Sequence, residues 1–157
     1  MTHTPSFIRI SLAGLLFCAA LLDAAGFVEY LVEVGGELRA RGAWSVAIEN
    51  PADASSPLAA VELRDAALAT SGLARARRKL SGAPLSHIVS PKSGRPVESG
   101  VELVSVRAPS CLEADGWATA LIASGLEGAR EVAGREGLTF WLLDSAGGFA
   151  APEPVPR

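Results

Sequence analysis

Three side chains within residues 86–119 have the types and spacing that a reaction needs: His87, Asp115 and Thr119. Asp115 and Thr119 are four residues apart, so on a helix they share one face. A carboxylate and a hydroxyl are both hard oxygen donors. Together they suit Mg2+ or Ca2+ and suit zinc poorly. Two protein ligands leave coordination positions for water and phosphate oxygens, the usual way Mg2+ is held. Near a helix N-terminus the carboxylate also lies favourably against the macrodipole. Gly116, beside Asp115, costs about 1 kcal/mol of helix propensity relative to Ala, and can clear space for a close contact. Taken alone, D-x-x-x-T is equally the pattern of solvated or capping residues. His87 precedes Ile88-Val89 and a turn carrying Pro91, Gly94 and Pro96. Such a histidine can be satisfied by turn backbone groups. It can also be held by a strand leaving a rigid turn, where its imidazole could accept a proton from a nucleophile.

The elements that must position these groups can be read along the chain. Ser110 and Glu113 form an S-x-x-E capping pattern, which starts a helix at Ser110. That helix is expected to run to Ser124 and stop at Gly125, with a second helix over 127–134. Residues 101–106 and 138–143 read as strands, the latter buried because it lacks alternation. Residues 28–34 and 44–49 are rich in strand formers and are expected to pair as a hairpin around Gly35-Gly36 and Gly42. The paired glycines fit a turn, and can also let backbone approach a ligand closely. Residues 58–63 and 66–70 suggest a second strand pair, and 86–89 a short strand. The basic run over 73–84 reads as an irregular solvated face. The result is an α+β chain, with a mixed or antiparallel sheet and flanking helices.

Length and composition set bounds. The 157 residues fit one domain, and 49% hydrophobic with 20% charged residues argues for a packed core. A net charge of −3 gives no electrostatic basis for binding nucleic acid. Cys18 and Cys111 have no metal-cage spacing and read as free thiols. Residues 10–22 are nearly all apolar and too short to span a bilayer comfortably. With Arg9 before them and Ala24-Ala25-Gly26 after, they resemble a secretion signal. They read equally as a buried helix stopped by Gly26 and running on into the next strand. The Pro-rich residues 151–157 read as a frayed tail.

The segments VEVGGELRARG (32–42), TSG (70–72), SHIVSPKSGRPVESG (86–100) and ADGWATALIASG (114–125) occur in this order. Together they resemble the C-terminal half of the FAD:protein FMN transferase family, a flavin-attaching family once named for thiamine-biosynthesis lipoproteins. The resemblance covers residues 20–150, leaving 1–19 as an N-terminal extension. It implies a cleft that binds FAD and Mg2+ and moves FMN onto a Ser or Thr hydroxyl of an acceptor flavoprotein, releasing AMP. Acceptors in the family include subunits of membrane electron-transfer complexes. Carried over by motif, Asp115 and Thr119 take the metal, and His87 activates the acceptor hydroxyl. Gly35, Gly36, Glu37, Ser71, Gly72, His87, Ile88 and Val89 border the flavin nucleotide.

The sequence also departs from the family pattern. Ser90 stands where members usually carry Asp, and Leu73-Ala74 where they carry Asp-Tyr after TSG. Members have a first half that builds much of the isoalloxazine pocket, where this chain has residues 1–19. Two other readings therefore stand beside the enzyme: a vestigial FAD- and Mg2+-binding fragment, and a small exported envelope protein. The family implies the cell envelope, on the periplasmic side of a membrane. A buried helix at 10–25 implies the cytoplasm.

Overall fold

The computed structural model describes residues 12–73, 78–80, 83–91 and 93–152. In order these form α1 (Leu12–Ala24), β1 (Tyr30–Val34), β2 (Glu37–Arg41), β3 (Ala43–Ile48), β4 (Ala59–Arg64) and β5 (Ala67–Gly72). Then come β6 (Arg78–Leu80), β7 (Ala83–Leu85), β8 (Val101–Ala108), α2 (Cys111–Glu136), β9 (Thr139–Asp144) and β10 (Phe149–Ala150). One six-stranded sheet has the order β1-β2-β5-β8-β9-β10, and β3–β4 and β6–β7 form separate two-stranded ribbons. Every pairing in the sheet is antiparallel. The expected α+β class is therefore the one adopted.

The central strand β8 is covered on both faces, which explains its almost unbroken apolar run. Val104 and Val106 pack with Leu121, Ile122 and Ala129 of α2. Leu103 points the other way and packs with Leu68 and Trp141 against Ile48, Val61 and Leu63 of the β3–β4 ribbon. The same alternation sends Leu142 and Trp141 of β9 to opposite sides. The layers are thus helix, sheet and ribbon, with a core on each side of the sheet.

The expected hairpin between 28–34 and 44–49 is corrected. Gly35 and Gly36, at φ 70° and 108°, make a tight turn that pairs Val34 with Glu37, so β1 pairs with β2. At Gly42 the chain leaves the sheet. Gly42 N–H donates to Asp65 Oδ1 at 2.8 Å, and Asp65 N–H donates to the Gly42 carbonyl at 3.0 Å. This clasp starts the β3–β4 ribbon at Ala43↔Arg64. Strands β4 and β5 therefore do not pair with each other, as the sequence suggested, but belong to different layers. The basic run over 73–84 is not wholly irregular, since β6 and β7 pair within it; its residues 74–77 and 81–82 lie outside the described residues. Residues 86–89 form only an isolated bridge, Val89↔Pro96, in place of the expected strand.

Helix α1 ends in a Schellman arrangement: Phe27 N–H donates to the Leu22 carbonyl and Gly26 N–H to the Asp23 carbonyl, both at 3.0 Å, with Gly26 at φ 82°. Leu15 and Ala19 are buried, and Tyr30 OH donates to Asp23 Oδ1 at 3.0 Å, seating the helix on the first hairpin. Leu16, Phe17, Leu21, Phe27 and Val28 remain exposed. Among the described residues no helix is long and apolar enough to cross a membrane. Residues 1–11 of the expected extension and 153–157 of the expected tail lie outside the described residues.

Helix α2 starts as read. Ser110 Oγ accepts from Glu113 N–H at 3.3 Å, while the Glu113 carboxylate accepts from the Ser110 hydroxyl at 3.0 Å. Gly125 breaks it, at φ 76° and ψ 175°, and the second segment continues to Glu136. Those dihedrals are open almost only to glycine. Gly125→Ala is expected to lower the unfolding free energy by about 1–3 kcal/mol in a denaturant titration. Gly134→Ala, at a helical site where nothing lies within 4 Å of an added Cβ, should instead raise it by about 0.4–1 kcal/mol.

Candidate functional site

The site begins with how α2 lies on the sheet. Ala114, Ala118, Leu121 and Ile122 are fully buried, an i, i+4, i+7, i+8 stripe. On the side of β5 its first turns meet small groups: Ala67 and Ala69 pack with Cys111 and Ala114, in a cluster that Leu15 of α1 completes. Small side chains on both partners let helix and strand approach closely. Asp115 and Thr119 each follow a buried alanine, so they fall on the edge of the stripe. Ser71 continues the helix-facing alternation of Ala67 and Ala69. Its Oγ lies 3.1 Å from Thr119 Oγ1. On the opposite face Thr70 Oγ1 meets Ser105 Oγ at 2.8 Å, which satisfies the buried Ser105 hydroxyl.

The sheet has a notch here. Pairing of β2 with β5 ends at Glu37↔Ala69, and the β1–β2 turn lies just beyond it. Thr70 N–H still donates to the Gly36 carbonyl at 3.3 Å, but β5 runs on through Ser71 and Gly72 without a strand on that side. A cavity of about 420 Å³ fills the notch, reaching the ribbon layer at Ile48 and the helix layer at Asp115 and Thr119.

Gly35 is needed for more than the turn. A Cβ there would come within 3.2 Å of Glu37 Oε2, at a backbone φ of +70°. The Glu37 carboxylate thus folds back over the turn. Burial, and then the negative charge of Asp115, push its pKa above the ordinary carboxylate value. Cys111 ties the start of α2 to the same hairpin, its thiol donating to the Leu38 carbonyl at 3.4 Å. Burial pushes that thiol up to about 11, so it packs and does not react at neutral pH. Both cysteines are free.

Among the described residues the acidic side chains that line it are Glu33, Glu37, Glu49, Glu102 and Asp115. Asp115 and the Ser71–Thr119 hydroxyl pair are hard oxygen donors, a set that fits Mg2+. Among the described residues no three His, Cys, Asp or Glu side chains converge on one point. The acids are spread around the walls, which suits a cation held partly by protein and partly by water or phosphate.

The structure brings together most of the residues singled out from sequence. Gly35, Gly36, Glu37, Ser71, Gly72, His87, Asp115 and Thr119 all line the one cavity. His87 is exposed on its rim, and no hydrogen bond holds its ring among the described residues. Ile88 and Val89 do not line it. Val97 N–H donates to the Ile88 carbonyl at 2.9 Å, and the Ile88 side chain turns into the α2 core. Val89, at the bridge to Pro96, faces outward. Sequence reasoning missed the acidic wall. Glu33 flanks the glycine pair, and Glu102 interrupts the apolar run of β8, which was the available signal.

A profile of the ApbE family matches residues 17–142. The chain belongs to the ApbE family. The matched span contains every residue that lines the cavity. The chain is 40% identical over 136 residues to the FAD:protein FMN transferase of Escherichia coli K12, covering 82% of this chain and 39% of that protein. It is 39% identical over 127 residues to the FAD:protein FMN transferase of Vibrio cholerae, covering 76% and 38%. The fold superposes on the apo crystal structure of the Pseudomonas stutzeri flavinyl transferase ApbE with a TM-score of 0.76, at 30% identity over 92% of this chain and 48% of that one. It superposes on the Vibrio cholerae flavin transferase ApbE with a TM-score of 0.72, at 33% identity over 90% and 47%. The chain thus spans about two-fifths of the length of these curated ApbE relatives.

Glu37 gives a pH-dependent signature. Its folded pKa is raised, so its favourable contribution is complete below the unfolded value and is lost as pH rises through the folded one. In metal-free buffer Glu37→Gln should melt above wild type at pH 7, with the gap closing as pH falls toward 4. A variant that melts lower than wild type at pH 7 would contradict this.

Proposed function

We propose that this chain forms the cation-binding and acceptor-activating side of an FAD:protein FMN transferase site. The observation that carries this reading is one cavity that brings the Asp115 carboxylate and the paired Ser71 and Thr119 hydroxyls together with His87 and the Gly35-Gly36 turn. The names of the relatives supply the substrate: FAD, with a protein as acceptor of FMN.

In this reading Asp115 and Thr119 hold Mg2+. The ion, when bound, neutralises phosphate oxygens and stabilises charge on the leaving group. The chain's own residues do the rest. The Gly35-Gly36 turn and the open edge at Ser71-Gly72 admit the nucleotide backbone without side-chain obstruction. His87, at the rim, receives the proton of a Ser or Thr hydroxyl on the acceptor. That oxygen forms a bond to the FMN phosphorus, the bond from this phosphorus to the AMP oxygen breaks, and AMP leaves. Positioning and charge stabilisation dominate such phosphoryl transfers, so one base is sufficient. The acceptor is proposed to be a flavoprotein subunit of a membrane electron-transfer complex, with the chain on the envelope side of that membrane.

The test is incubation of the chain with FAD, Mg2+ and a family-type acceptor protein, read as covalent flavin fluorescence in a denaturing gel. Labelling that is lost in Asp115→Ala and falls about 10²–10⁴-fold in His87→Ala is the expected outcome. FAD binding without any labelling would make the chain a binding module instead.

A further inference from the structure

The 3.1 Å contact between Ser71 Oγ and Thr119 Oγ1 joins the sheet to the helix inside the cavity. A threonine hydroxyl carries one proton and two lone pairs. To bind a cation it must aim a lone pair at the ion and send its proton elsewhere. On a helix the ordinary destination is the carbonyl four residues back. Ser124 takes that course, donating to the Ala120 carbonyl at 2.8 Å. Thr119 is not seen to do so: its hydroxyl meets Ser71 of the neighbouring strand.

The partner is placed by the sheet. Ser71 shares the helix-facing side of β5 with Ala67 and Ala69, and it pairs in register with Val104. It is thus the first hydroxyl on an otherwise apolar strand face, at the position where that face reaches Thr119. Its carbon frame is fixed by the ladder to β8, so the direction of its Oγ is fixed within its rotamers. Asp115 lies one helical turn before Thr119 on the same edge.

We infer that Ser71 is a positioning residue for the cation: its Oγ accepts the Thr119 proton and so turns a Thr119 lone pair toward the site shared with Asp115. The inference rests on the reading of Asp115 and Thr119 as cation ligands. It gives Ser71 a role distinct from bordering the nucleotide. Orienting partners of metal ligands, when removed, typically cost about 10–100-fold in metal affinity.

Mn2+ serves as the probe, titrated into the full chain without nucleotide and followed by the loss of free-ion paramagnetic resonance. Ser71→Ala should weaken Mn2+ binding by about 10–100-fold, and Ser71→Thr, which keeps a hydroxyl, should restore it. Because Ser71 acts through Thr119, adding Ser71→Ala to Thr119→Ala should cost nothing further. Circular dichroism matching wild type confirms that each variant is folded. Ser71→Ala binding as wild type does, or additive losses in the double variant, would overturn the inference while leaving Asp115 and Thr119 as ligands. Absence of Mn2+ binding by wild type, or its survival in Asp115→Ala, would overturn the parent reading as well.

Discussion

The close seat of α2 on β5 is the constraint from which the site follows. Cys111 and Ala114 pack with Ala67 and Ala69 across it, small side chains on both partners. Larger residues at these positions would separate the layers and carry Thr119 out of reach of Ser71. The bulk needed to hold the helix comes later, from Leu121 and Ile122 against Val104 and Val106. Packing is thus graded along one helix, small where chemistry is placed and large where stability is gained. The Cys111 thiol, bonded to the Leu38 carbonyl, fixes the near end of the same seam to the hairpin that carries Glu37.

The second determinant is where strand pairing stops. Because β2 releases β5 after Ala69, the sheet opens a notch, and acids from four separate parts of the chain line its walls. Burial, and after it the negative charge of Asp115, raises the pKa of Glu37 at this notch.

Local features were legible in the sequence. Ser110 and Glu113 marked the start of α2, Gly125 its break, and the four-residue spacing placed Asp115 and Thr119 on one edge. Those signals depend only on neighbours along a helix. The family resemblance added what spacing alone could not, namely that TSG and the glycine pair share a cavity with them. Partner choice among strands was not legible, because β3 is directed to β4 by the Gly42–Asp65 clasp, whose halves lie far apart in sequence. The expected strand over 86–89 was not adopted for a related reason. A single bridge to Pro96 replaces the strand that would have set the alternation of Ile88 and Val89, so the core captures Ile88. The exposed apolar residues of α1, Leu16, Phe17 and Leu21, were likewise invisible to a reading that saw only a continuous hydrophobic run.

The proposed function turns on Asp115 and Thr119 holding a divalent cation together with the nucleotide. Calorimetric titration of FAD into the full chain, once with Mg2+ and once with a chelator, tests it most directly. The account predicts that Mg2+ tightens FAD binding by about 5–150-fold, and that Asp115→Ala abolishes this dependence. FAD binding of equal strength in the chelator would contradict it.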